Sequence, residues 1–200
     1  MNDLKEKFLN YRNALYKACE KGYVHFVISL KINSFRANSD IFGLSTSFWA
    51  YSLYAHSECA FSYLARILEI KRKSSDPISI HKFLNLILSS NEYIFDAPVL
   101  KEVKSEVKKD LALLEKKKPF IEKIMDLRDN FLSHFDKDTF RNMKSFFEKN
   151  EIKDDEIEGI FYLIENIINK YLHLFNQSIP SHDFKNWKVT IDLDFHNFEG

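Results

Sequence analysis

Along most of the chain apolar residues return every three or four positions, the repeat of one face of an α-helix, and only near the C-terminus does the repeat shorten to two. Leu4, Phe8, Tyr11, Leu15, Ala18, Phe26 and Leu30 predict a first helix from about Asp3, with Gly22 as a break or kink inside it. The polar stretch NSFRANSDIFGLST then bends at Gly43, and Ser45 or Thr46 can cap the next helix. In SFWAYSLYAHSECAFSYLARILEI apolar and aromatic side chains fall on nearly every side, the pattern of a helix enclosed by others, so this helix is expected at the centre of a bundle.

After a Ser-Ser-Asp-Pro turn, a short helix opens near Ser79 and turns Ile80, Phe83, Leu84 and Ile87 inward. NEYIFDAP reads as irregular. Val99, Val103, Val107, Leu111 and Leu114 form a narrow stripe on a charged helix, as on a bundle edge or an extended arm. Pro119 opens the next helix, over about 119–135, at a position where its missing N–H costs nothing. DKDTFRNMKSFFEKNEIKDDE reads as a loop with a short helix inside it, and EIEGIFYLIENIINKYLHLF as a final long amphipathic helix. WKVTIDLDF, over 187–195, alternates with period two and predicts a terminal strand or extended tail.

The pattern therefore predicts an all-α fold: an antiparallel bundle of roughly five to seven helices in a single domain over 1–200, with a short C-terminal strand or tail. Only four Gly and four Pro occur, too few turn residues for a many-stranded sandwich or barrel. Hydrophobic residues make up 45% of the chain, enough for a sizeable core, and nineteen Phe supply much of its volume. The formal net charge is zero, so no global field draws the protein to nucleic acid or an anionic membrane, and any RNA contact must be local. The start MNDLKEKFLNYR is charged and amphipathic, and no apolar run is long enough for a membrane span; a cytoplasmic protein with no membrane partner is expected. Cys19 and Cys59 sit among apolar neighbours in helical pattern and read as two reduced core thiols.

Candidate chemistry is sparse. The clusters KRK at Lys71–Lys73 and EKKKP at Glu115–Pro119 fall at helix C-termini, where cations offset the negative end of the helix dipole. Lys116, Lys117 and Lys118 are also candidates for contacts to an RNA backbone. His56 and Cys59 are three apart on one helix, but no further ligands recur at metal spacing, so neither a metal site nor a cofactor is expected. Glu58 and Arg66 are charges on the helix read as enclosed; they either hold each other or reach Arg128 across the bundle. No Ser sits in a Gly-flanked elbow and no Gly-rich loop cradles phosphate.

That leaves DLRDNFLSHFD, at Asp126–Asp136. Arg128 falls in line with Ile121, Met125 and Leu132, so its guanidinium starts from an apolar stripe and needs a partner or water. Asn130 and His134 are four apart on one side of the helix, with Asp129 and Ser133 as a second such pair beside them. A helix that loosens near its end would bring Arg128 and His134 round one pocket.

These residues resemble the signature of the HEPN superfamily, in which an Arg and a His are separated by about four to six residues and a polar residue usually follows the Arg. R-D-N-F-L-S-H has each part, with Asp129 in the polar slot. The stretch FWAYSLYAHSECAFSYLARIL, followed by a polar turn and SIHKFLNLI, is similar to the abortive-infection (AbiU-type) branch. The resemblance runs from about Thr46 to Leu174 and leaves out the first helix and the WKVTIDLDF tail.

The resemblance implies a helical bundle that forms a homodimer, with two motifs facing each other across a cleft, acting as a metal-independent endoribonuclease. It further implies a toxin or phage-defence effector, restrained by an antitoxin or another regulatory protein. Carried over, Arg128 would hold the scissile phosphate, a role that suits a planar bidentate donor, and His134 would move protons between the ribose hydroxyl, the phosphate and the leaving oxygen. Asp129 or Asn130 would orient His134 or the substrate. The alternative is a non-catalytic HEPN module that binds a protein partner or nucleotide, with Arg128 a buried ion-pair partner of Glu58 or Asp129.

Overall fold

The computed structural model describes residues 3–38, 46–69, 78–129, 151–176 and 183–196. Among these residues there are seven α-helices and no strand: α1 Asp3–Asn38, α2 Thr46–Leu68, α3 Ile80–Ile94, α4 Leu100–Lys116, α5 Lys118–Leu127, α6 Asp154–Phe175 and α7 Lys185–His196. A 3-10 turn, Ala97–Val99, leads into α4. One hydrophobic cluster draws on every helix, from Phe8 and Leu15 in α1 to Ile191 in α7.

The enclosed helix is α1, not α2 as the aromatic pattern predicted. The 36-residue α1 packs against α2, α3, α6 and α7. Phe8, Leu15, Cys19, Tyr23 and Phe26 are buried along it. Helix α2 buries its last two turns, with Leu64, Ala65, Ile67 and Leu68 inaccessible, while Phe48 and Tyr51 near its start are 64% and 76% exposed. All-round aromatic character thus marks a helix with an uncovered face here, because periodicity cannot tell core from exposed apolar surface.

Gly22 does not break α1. A Cβ there would lie 3.0 Å from Phe161 Cε1 and 3.0 Å from Tyr63 Cβ, so the missing side chain lets α2 and α6 close on α1. Helix α3 starts where expected: the Ser79 hydroxyl accepts the Lys82 N–H at 3.4 Å, and the Ser79 N–H donates to the Tyr11 hydroxyl at 3.0 Å. The cap thereby ties α3 to α1.

Helix α4 packs on α3, α5 and α6 and is a bundle edge, not an arm. Its buried stripe is Val103, Val107, Asp110 and Leu114, with Asp110 deeper than the expected Leu111. The Asp110 carboxylate accepts from Lys170 Nζ at 2.7 Å and from the Tyr171 hydroxyl at 2.7 Å, which pins α4 to α6.

The strand or tail expected over 187–195 is a helix, α7. Alternation would have put Trp187, Val189 and Ile191 on one buried face, yet Trp187 and Val189 are 39% and 58% exposed. Phe184 and Ile191, seven apart, are buried instead, and Lys188 between them reaches Glu158 at 2.8 Å. Phe184 stacks on Tyr23 with ring centroids 5.1 Å apart, and its N–H donates to the buried Glu165 carboxylate at 2.7 Å. Tertiary contacts at a helical spacing thus override a period-two pattern.

Candidate functional site

Helix α5 carries the site because its apolar face is anchored first. Pro119 sits in its first turn, and Ile121, Ile124 and Leu127 are buried. At Arg128 the regular helix ends, and the backbone widens into a π-turn over 128–129. The change of backbone falls at the arginine itself, where such turns re-aim side chains. His134 and Asn130 lie outside the described residues.

Arg128 extends from the apolar stripe into a small polar enclosure, its side chain 14% exposed. Its Nε donates to Asp129 Oδ1 at 2.6 Å, and its Nη1 lies 3.7 Å from Glu69 Oε2. The hydrogen bond to Asp129 outweighs the opposing effect of burial and, with the nearby Glu69 charge, raises the Arg128 pKa, so the group stays cationic. Of the two carboxylates expected to partner Arg128, Asp129 does so and Glu58 does not. Glu69, directly after α2, takes the place assigned to Glu58. Arg66 is exposed and lines a separate surface cavity with Glu58, Cys59, Ser62 and Tyr63.

A cavity of about 300 Å³ opens beside Arg128 between α2 and α5. Leu68, Ile121 and Met125 form its apolar lining; Glu69, Lys118, Glu122, Arg128 and Asp129 form the charged part. Two cations therefore face three carboxylates. Of the three candidate lysines, Lys118 lines this cavity, while Lys116 and Lys117 are exposed at the end of α4, as the helix dipole predicts.

Glu69 was legible only indirectly. It extends the run Leu64, Ala65, Ile67 and Leu68, all fully buried, and is itself 9% exposed. A carboxylate directly after such a run needs a cation nearby.

The pair His25–His56 and the two thiols sit elsewhere. His56 meets His25 of α1, Nδ1 to Nδ1, at 2.9 Å, and burial lowers the pKa of both. Among the described residues no group of three His, Cys, Asp or Glu is placed to hold a metal ion. Cys19 and Cys59 are both free thiols, but only Cys19 belongs to the core; Cys59 is half-buried. No described helix is long and apolar enough to cross a membrane.

Fold and site together define the class: an all-helical bundle that presents an ion-paired arginine from the end of one helix to a small cavity at a helix seam. The family model described as HEPN_AbiU2, AbiU2, matches residues 1–192, and the chain belongs to this abortive-infection branch of the HEPN domains. The match takes in α1 and most of α7, beyond the stretch that carries the motif resemblance. Comparison with curated proteins and with solved structures gives no match.

Proposed function

We propose that this protein is a metal-independent endoribonuclease of the HEPN type, serving as a toxin or phage-defence effector, with a site completed by a second copy of the chain. The observation that carries the reading is Arg128: a cation held at the rim of a cavity on the signature helix, with its Nη2 lacking a hydrogen-bond partner among the described residues. A planar guanidinium placed this way is suited to a scissile phosphate and to the charge that develops on it. His134 would serve as general acid and base, with Asp129 and Asn130 orienting it or the substrate. Carboxylates outnumber cations in one protomer's cavity, and a second copy brings the same set, so phosphate binding there rests on the open corner of the guanidinium and not on net charge. A homodimer supplies a second Arg128 and His134, and Lys116, Lys117 and Lys118 add backbone contacts. An antitoxin or regulatory protein would hold such an enzyme in check.

The test is RNA cleavage in the presence of a chelator by wild type, Arg128→Ala, His134→Ala and a variant made monomeric. Cleavage by wild type alone, with all three variants folded, supports the reading. Full activity in the monomer overturns the composite site. The second reading, a non-catalytic module that binds a protein or nucleotide, is favoured by the same carboxylates, which already neutralise Arg128. It predicts that Arg128→Ala loses stability and a binding partner while no RNA is cut.

A further inference from the structure

We propose that Glu69 is a positioning residue for Arg128, setting the direction in which the guanidinium meets an anionic ligand; the proposal rests on the nuclease reading for its catalytic consequence but not for its geometry. Arginine is long and rotamer-rich, and one carboxylate on its own helix cannot fix where the fork points. Asp129 is such a carboxylate, adjacent in sequence and moving with Arg128. Glu69 belongs to a different element. It follows the buried end of α2, across the cavity from α5, and its side chain is 10% exposed against 14% for Arg128.

The two carboxylates engage different nitrogens, Asp129 at Nε and Glu69 at Nη1, which leaves Nη2 without a partner among the described residues and open to a ligand. At 3.7 Å the Glu69 contact is an ion pair and longer than a hydrogen bond. It can therefore steer the cation without occupying the donors that a phosphate would use. The half-enclosed setting makes that steering stronger than it would be between exposed groups. Glu58, eleven residues earlier on α2, lines a different cavity and serves as the control.

The experiment compares wild type with Glu69→Ala, Glu69→Gln, Glu69→Asp and Glu58→Gln, reading kcat, KM, thermal melting and the NMR signal of the Arg128 Nε–H. Glu69→Ala should lower kcat about ten- to a hundredfold, the cost of a misplaced catalytic group, with KM little changed. Glu69→Asp should regain part of the loss, and Glu58→Gln should behave as wild type. In the same variants the Nε–H signal should broaden relative to wild type, because without Glu69 on Nη1 the fork that carries Nε is held by Asp129 alone. Should the alanine variant not fold, the near-isosteric Glu69→Gln carries the comparison. Unchanged kcat and an unchanged Nε–H signal in a folded variant overturn the proposal, and so does a rise in kcat, which would make Glu69 a competitor of the substrate. If wild type cuts no RNA, the nuclease reading falls, while the Nε–H signal still decides whether Glu69 positions Arg128.

Discussion

Two half-buried ionic clusters sit on this bundle, and they are built to opposite ends. Between α4 and α6, Asp110 is 1% exposed and both its oxygens are taken, by Lys170 and by the Tyr171 hydroxyl. Lys170 also donates to Glu106 at 3.0 Å, and Glu106 accepts from Lys109 at 2.6 Å. Burial opposes the Lys170 charge, but its bonds to Asp110 and Glu106 prevail and raise its pKa. Every charge in that cluster is matched by a neighbour. Between α2 and α5, Arg128 has one short bond, one longer ion pair and, beside a cavity, a nitrogen with no partner among the described residues. A closed network fixes helices; an open one keeps donors for a ligand.

The sharpest way to break this contrast is Asp110→Ala. It leaves the buried Tyr171 hydroxyl without its acceptor and Lys170 with Glu106 alone, and should cost about 3–4 kcal/mol in urea unfolding. Cleavage per folded molecule should not change. A small loss would show that the closed cluster does not hold α4 to α6.

A third buried charge, Glu165, tests burial with a single compensating bond. Burial lifts its carboxyl from an ordinary 4.5 to about 7, against the bond from Phe184 N–H. The folded state then binds more protons than the unfolded state between these values, so stability falls as pH rises through that window and levels above it. Glu165→Gln should match wild type at about pH 5 and exceed it by up to about 3 kcal/mol at about pH 8. Parallel pH profiles for the two proteins would refute the assignment.

Next in size is Arg128→Lys, which keeps the charge near Glu69 and Asp129 but loses the fork. On the proposed nuclease activity, cleavage should drop about a hundredfold while the melting temperature moves little. Equal cleavage by the lysine protein would reduce Arg128 to a point charge.

The smallest effect concerns Arg12, a buried cation that lines neither of the two cavities described above. It is 4% exposed; its Nη1 donates to Asn13 at 3.0 Å, while Nε and Nη2 lack hydrogen bonds among the described residues. Burial lowers its pKa, the reverse of Arg128, whose carboxylates raise it. Arg12→Met should raise stability by about 1–2 kcal/mol, measured by denaturant midpoint, since an apolar replacement removes a poorly compensated charge. Destabilisation instead would mean that the stacking of Arg12 on Tyr16, 5.2 Å from the ring centroid, outweighs desolvation.

Local pattern determined much of this protein. The all-helical class, the start of α3 at Ser79, the opening of α5 at Pro119 and the apolar stripe of α6 come from residue spacing and cap chemistry, which act within a few residues. The pairing of Arg128 with Asp129 was legible as one of two alternatives, because the two are adjacent in the chain; Asn130 and His134 lie outside the described residues. The events that join distant residues needed the tertiary structure. Those are the choice of α1 over α2 as the enclosed helix, Gly22 as a point of close approach, and the turning of an alternating tail into α7 by Phe184 and Ile191. Above all, the bundle selected Glu69 over Glu58 as the second carboxylate on Arg128. Residue spacing reports which side of a helix is apolar, but only the packing of helices decides which charge is left facing which.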